Sequence, residues 1–219
     1  MNRKFFASIL AISVLAVSSA FSQILTASDF FKSVSDYYAT FTDYEADVQI
    51  QMGTQKMEGH VSFKRPEMLR IDFTEPTDQC IVFNGDDLVI YLPGSAAILE
   101  QHVDTNLANT ASGLSLMRRY YTIQYKTGQD PVPLDSDSDE MVVKLILYRR
   151  SSSEAFSQME VSILPEEKLL RRVEAQTPAG VVYVFDFENY KIDTKMSDQR
   201  FVYEPPSSAN NYNNFLLSE

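Results

Sequence analysis

From Tyr44 to Phe73 the chain alternates apolar and polar residues with a period of two, which suits a strand and not a helix. Tyr44, Ala46, Val48, Ile50 and Met52 take one parity; Glu45, Asp47, Gln49 and Gln51 take the other. Gly53-Thr54-Gln55 reverses the chain, and Met57, Gly59, Val61 and Phe63 then alternate with Glu58, His60, Ser62 and Lys64. Leu69, Ile71 and Phe73 follow, against Arg70, Asp72 and Thr74. Strands with one apolar and one polar face pair antiparallel, with one side on a core and the other in water. The apolar series of the second strand ends in Arg65, directly before Pro66. A guanidinium on that face must be paired, snorkel to the rim, or hold something movable.

The pattern continues. Glu75-Pro76-Thr77 breaks it, and Cys80–Phe83 and Leu88–Leu92 flank Asn84-Gly85, which predicts a two-residue hairpin. Pro93-Gly94 turns the chain again. Further strands are predicted at 122–126, 141–148, 159–164, 168–175 and 181–187, with a last one around Arg200–Tyr203 before Pro205-Pro206. Two stretches change period. Phe30, Phe31, Val34, Tyr37, Tyr38 and Phe41 predict a helix over about 28–40 with Ser28 as N-cap. Leu107, Ala111, Leu114, Met117 and Tyr121 predict short helices within 104–121, weakened by Gly113. The fold class is α+β, mainly β: an antiparallel sheet of about ten or eleven strands that must curl, with helices over its concave face.

Residues 1–22 read as a secretory signal peptide: Arg3 and Lys4, an apolar stretch from Phe5 to Val17, then small residues allowing cleavage after Ala20 or Ser22. The mature chain is then expected to be exported and soluble, one domain over 23–206 with a polar tail over 207–219 that orders only near Phe215–Leu217. The formal charge is −11, and loss of Arg3 and Lys4 makes it more negative. Such a balance disfavours nucleic acid and anionic membrane surfaces as direct partners. Cys80, alone in the sequence, sits in an apolar strand and is read as buried and inert.

Little here suggests an enzyme. Asp135, Asp137 and Asp139 open like a calcium loop, but Glu140 stands where glycine is needed and Ile146 where a bidentate glutamate is needed. His60 and His102 lack ligands at zinc spacing. There is no nucleophile elbow, phosphate-binding glycine loop or HExxH helix, so no catalytic residue, metal or cofactor is expected.

Phe63-Lys64-Arg65-Pro66, Met68-Leu69-Arg70-Ile71-Asp72-Phe73, Glu75-Pro76 and the segment from Ile81 to Tyr91 resemble the LolA family of periplasmic lipoprotein carriers. Phe201-Val202-Tyr203-Glu204-Pro205-Pro206 echoes the family's closing pattern. The resemblance implies an incomplete β-barrel closed by a helical lid over an apolar cavity. It also implies a role: acyl chains of lipoproteins released by an inner-membrane transporter lodge in the cavity, cross the periplasm, and pass to an outer-membrane acceptor. Arg65 stands at the family's latch position, bonding lid-helix carbonyls when the carrier is empty, and the helices near 105–121 are its expected partners. Val61, Phe63, Leu69, Ile71 and Phe73 would line the cavity, with Leu107, Leu114 and Met117 from the lid. The same fold serves a lipoprotein acceptor and one domain of an envelope-stress regulator. A hydrolase or sugar-binding module on a β-rich scaffold is the rival from another class.

Overall fold

The computed structural model describes residues 25–102 and 113–213. Residues 1–22, expected from the sequence to be a signal peptide, lie outside the described residues, as do Leu107 and Phe215–Leu217. Helix α1 (Ala27–Tyr38) is followed by strands β1 (Asp43–Met52), β2 (Gln55–Lys64), β3 (Met68–Glu75), β4 (Cys80–Phe83), β5 (Asp87–Leu92) and β6 (Ala97–His102). Helix α2 (Gly113–Tyr120) leads into β7 (Tyr121–Tyr125), β8 (Val132–Pro133), β9 (Met141–Arg149), β10 (Gln158–Ile163), β11 (Leu170–Gln176), β12 (Val182–Ile192) and β13 (Asn210–Asn213).

These form one 13-stranded open sheet in the order β13-β6-β5-β4-β3-β2-β1-β12-β11-β10-β9-β7, with β8 paired to β9. The chain meanders outward from β1 to β6, crosses to the far edge at β7, and meanders back until β12 pairs antiparallel with β1. The sheet thus stays unclosed, with β13 and β7 at its edges. An incomplete barrel with helices over one face is the observed architecture.

Several boundaries differ from the sequence reading. The N-cap of α1 is Thr26, whose hydroxyl accepts from Asp29 N–H at 3.1 Å, so Ser28 falls inside the first turn. The 80–92 hairpin has a four-residue loop, because Phe83 pairs with Leu88 and Asn84 Oδ1 accepts from the N–H groups of both Asp86 and Asp87. Strands β6 and β8 are additional. The tail is not free either: β13 pairs parallel with β6. Arg200–Tyr203 is no strand; a 3-10 turn at Asp198–Phe201 stands in its place.

That last segment clasps the outer face. Buried Asp43 accepts from Thr194 N, Thr194 Oγ1 and Met196 N, which fixes the chain leaving β12. Beyond it, Arg200 reaches Asp72 at 2.5 Å and Ser62 at 3.2 Å, while Arg70 bonds both Asp72 and the Arg200 carbonyl. Phe201 then buries itself against Cys80 and Val82. Burial alone would raise the Asp72 pKa, but its bonds to Arg70 and the charge of Arg200 hold it below the ordinary carboxylate value. Burial pushes the Cys80 thiol up to about 11.

The inner face carries the main core. Phe31, Val34 and Tyr38 of α1 pack with Leu145, Leu147, Val161 and Ile163 of β9 and β10. Ala46, Val48, Ile50, Val61 and Phe73 form a second cluster that shares Phe185 and Phe187 with the first. Parity reads as the alternation predicts: the odd residues of β2 face inward.

Candidate functional site

Where β2 ends, Lys64 pairs with Asp43 at the start of β1, and Arg65 N–H donates to Thr42 O at 3.0 Å. This register sets the Arg65 side chain beside the connection from α1 to β1. Its Nε donates to Phe41 O at 2.6 Å and its Nη2 to Tyr38 O at 3.2 Å. Tyr38 is the last residue of α1, and carbonyls at a helix C-terminus lack intrahelical donors and carry partial negative charge. The arginine is paired, and its partners are the last residue of the first helix and the connection that follows it. The expectation that it meets the 105–121 region does not describe these bonds, because strand pairing, invisible locally, brings the α1 end to it.

Next to this contact lies a cavity of 190 Å³ lined by Tyr38, Tyr44, Phe63, Arg65, Pro66, Gly113, Leu114, Met117 and Leu170. It sits between the end of β2 and the two helices. Four of the residues singled out from sequence meet here: Phe63, Arg65, Leu114 and Met117. Leu107 lies outside the described residues. Val61 and Phe73 are buried in the cluster below, with Leu69 and Ile71 half-buried against them.

An aromatic group forms the cavity's floor. Tyr44 stacks on Phe63 at 5.2 Å and meets Tyr38 edge-on at 5.9 Å. The Tyr38 hydroxyl accepts from Leu170 N–H at 3.0 Å and donates to Tyr190 Oη at 3.3 Å, and the Tyr190 hydroxyl donates to Leu170 O at 3.0 Å. Two phenols and the backbone N–H and C=O of Leu170 therefore satisfy one another, so burying them costs little. Burial outweighs these bonds and pushes the Tyr38 pKa up to about 12; Tyr44 and Tyr190 are raised as well. All three phenols stay neutral in water at ordinary pH.

Beyond the cavity, the inner face continues as an apolar wall. Register rows run Phe63–Leu69–Phe83–Leu88 and Val61–Ile71–Ile81–Ile90–Leu99 across β2 to β6. Apart from Val61, these side chains are only half-buried. Sequence reasoning chose the first strands of this wall and missed Ile81, Phe83, Leu88, Ile90 and Leu99, as well as Tyr38, Tyr44 and Leu170. Carrying the parity rule through the four-residue hairpin loop would have found those of β4 and β5. Among the described residues, no three His, Cys, Asp or Glu side chains converge as metal ligands would.

The sequence profile of the family described as "Outer membrane lipoprotein carrier protein LolA" matches residues 32–204. The chain belongs to the LolA family. An outer-membrane lipoprotein carrier protein of Hahella chejuensis is 23% identical over 204 residues, covering 92% of this chain and 93% of that one. Among solved structures, an uncharacterized conserved protein of Thermus thermophilus superposes with a TM-score of 0.56 at 15% identity, over 84% of this chain and 97% of that one. The MucA/MucB complex structure of Pseudomonas aeruginosa gives 0.52 at 13%, over 84% and 62%. At these identities the structural likeness is one of fold. Arg65, the small cavity beside it and the half-buried apolar wall are what this chain presents on the inner face of that fold.

Proposed function

We propose that this chain is a periplasmic carrier that takes the acyl chains of lipoproteins onto its apolar inner face and ferries them from the inner to the outer membrane. It would load from a lipoprotein-releasing transporter, deliver to an outer-membrane acceptor, and perform no covalent chemistry. Family membership and the carrier name of the Hahella chejuensis relative support this reading. So does the absence, among the described residues, of a helix long and apolar enough to cross a membrane.

The observation that carries the proposal is the Arg65 contact beside the cavity. With α1 in place, the cavity is small. An acyl chain needs more room than this beside the half-buried wall, so the end of α1 must part from the end of β2. Bonds from a charged donor contribute about 1.5–3 kcal/mol each, so the two from Arg65 oppose that shift by about 3–6 kcal/mol. Each buried methylene returns about 0.8 kcal/mol; ten return about 8. Cargo therefore wins over the latch, while the latch trims its net affinity enough to permit delivery. Val61, Phe63, Leu69, Ile71, Phe73, Leu114 and Met117 would form the wall and lid that touch the chains.

The test is to isolate the protein from the cell envelope and search for bound acylated protein by mass spectrometry. Acylated cargo on wild type, and more of it on Arg65→Leu, is the expected result. If neither form ever carries any, the carrier reading fails.

A further inference from the structure

The chain is strongly acidic overall, yet one rim of it is not. Arg118 and Arg119 lie in the last turn of α2; Arg149 ends β9 and Arg150 follows it. The fold brings these two pairs together. Tyr121 pairs with Arg149 in the β7–β9 register, Arg150 N–H donates to Tyr120 O at 2.8 Å, and Arg150 Nε donates to Tyr121 O at 3.1 Å. Two of the arginines thus reach this rim from sequence positions about thirty residues away from the other two.

Elsewhere arginines are matched by acids. Arg70, Arg171, Arg172 and Arg200 all form ion pairs. Arg65 is engaged by two carbonyls. Among the described residues, Arg118, Arg119, Arg149 and Arg150 have no carboxylate in ion-pair contact, and Glu154, the acid on the adjoining loop, forms none with them. The negative end of the α2 dipole favours Arg118 and Arg119 at that place. It does not account for Arg149 and Arg150, which come from the end of β9 and the residue after it.

An exposed aromatic completes the rim. Tyr120 stands beside the guanidinium of Arg119, 5.5 Å from the ring centroid. Guanidinium groups suit phosphate oxygens, and tyrosine rings settle at headgroup depth. Just before these residues in the same helix, Leu114 and Met117 close the cavity.

We infer that this arginine rim docks the protein on anionic phospholipid headgroups, so that the lidded end of the cavity faces the bilayer. The net charge repels such a surface at long range, and the rim acts within the screening length of about 8–10 Å. Contact is therefore oriented, brief and salt-sensitive. From the carrier reading the inference takes only that a membrane lies at each end of the journey.

The test is partition of the exported protein, purified without cargo, onto vesicles of phosphatidylglycerol with phosphatidylethanolamine, and onto vesicles of phosphatidylcholine alone. Wild type should bind the anionic vesicles, lose that binding as salt rises, and ignore the neutral ones. At about fivefold per basic residue, Arg118→Gln with Arg119→Gln should weaken partition about 25-fold. Lys191→Gln with Lys195→Gln, the same charge change elsewhere, should leave it nearly as in wild type. Equal partition of the two double variants overturns the proposal, as does wild-type binding that ignores lipid charge or salt. Absence of vesicle binding, with the arginine variant slowed only in handover to an acceptor protein, also overturns it and marks the rim as a protein-docking surface. Because no cargo is needed, any of these failures leaves the carrier reading standing.

Discussion

Arg65 Nε lies 2.6 Å from the carbonyl oxygen of Phe41, which ties the end of β2 to the chain leaving α1. The residue before it, Lys64, faces outward and bonds Met196 O and Asp198 on the opposite side of the sheet. Neighbouring residues thus bind the lidding helix on one face and the closing clasp on the other. Replacing Arg65 by lysine leaves a cation with one flexible donor arm where two bonds fan out. Hydrogen exchange read by mass spectrometry should show faster opening of α1 in Arg65→Lys, and faster still in Arg65→Leu, while β9 and β10 keep wild-type protection.

Tyr190→Phe removes the hydroxyl that accepts from Tyr38 and donates to Leu170 O. Leaving these two groups without that partner should cost about 1–3 kcal/mol, seen as a lowered midpoint in urea. Tyr38→Phe should cost a similar amount. The double variant should cost less than the sum, because the two hydroxyls satisfy each other.

Gly59 faces inward where the β2–β3 register shifts, and a Cβ placed there would stand 2.5 Å from Asp72 O and 3.0 Å from Phe73 Cα. Backbone on the other strand cannot swing aside as a side-chain tip can. Gly59→Ala should therefore destabilise the protein by about 1–3 kcal/mol, whereas Gly53→Asn, at a left-handed turn position with open space, should stay within about 0.5 kcal/mol. Thermal melts of the two variants give the comparison.

Asp72 gives the acid limb of stability its sign. Its native pKa lies below its unfolded value, so its contribution is whole above the unfolded value near 4 and fades as pH falls through the native one. Asp72→Asn should remove that share of the acid dependence below pH 4. It should also cost about 1–2 kcal/mol at neutral pH, a figure below the buried-pair range because these side chains remain about a third exposed. Urea midpoints measured from pH 3 to pH 7 read both effects.

The strands that face a core on one side were legible in the sequence, because burial forces a period of two on β1, β2 and β3. Strand β6 was not: Ala97 and Ile98 are adjacent and both buried, so no alternation marks them. Asn210–Asn213 reads as a polar tail, and only its partner β6 makes it a strand. Arg200–Tyr203 misled for the opposite reason, since alternation there serves a clasp with Phe201 down and Val202 half exposed. At the site, parity exposed Arg65 as anomalous. Its partners stayed hidden, because they follow from the Lys64–Asp43 pairing and the length of the 39–42 connection.

The most direct measurement is the release of one acylated lipoprotein from loaded wild type and loaded Arg65→Leu to an acceptor or to detergent-free vesicles, followed over time. If Arg65 opposes the loaded state by bonding Tyr38 and Phe41 carbonyls, the variant should release its cargo at least tenfold more slowly, the factor that about 1.4 kcal/mol supplies. Equal release from the two proteins would contradict the latch at the centre of this account.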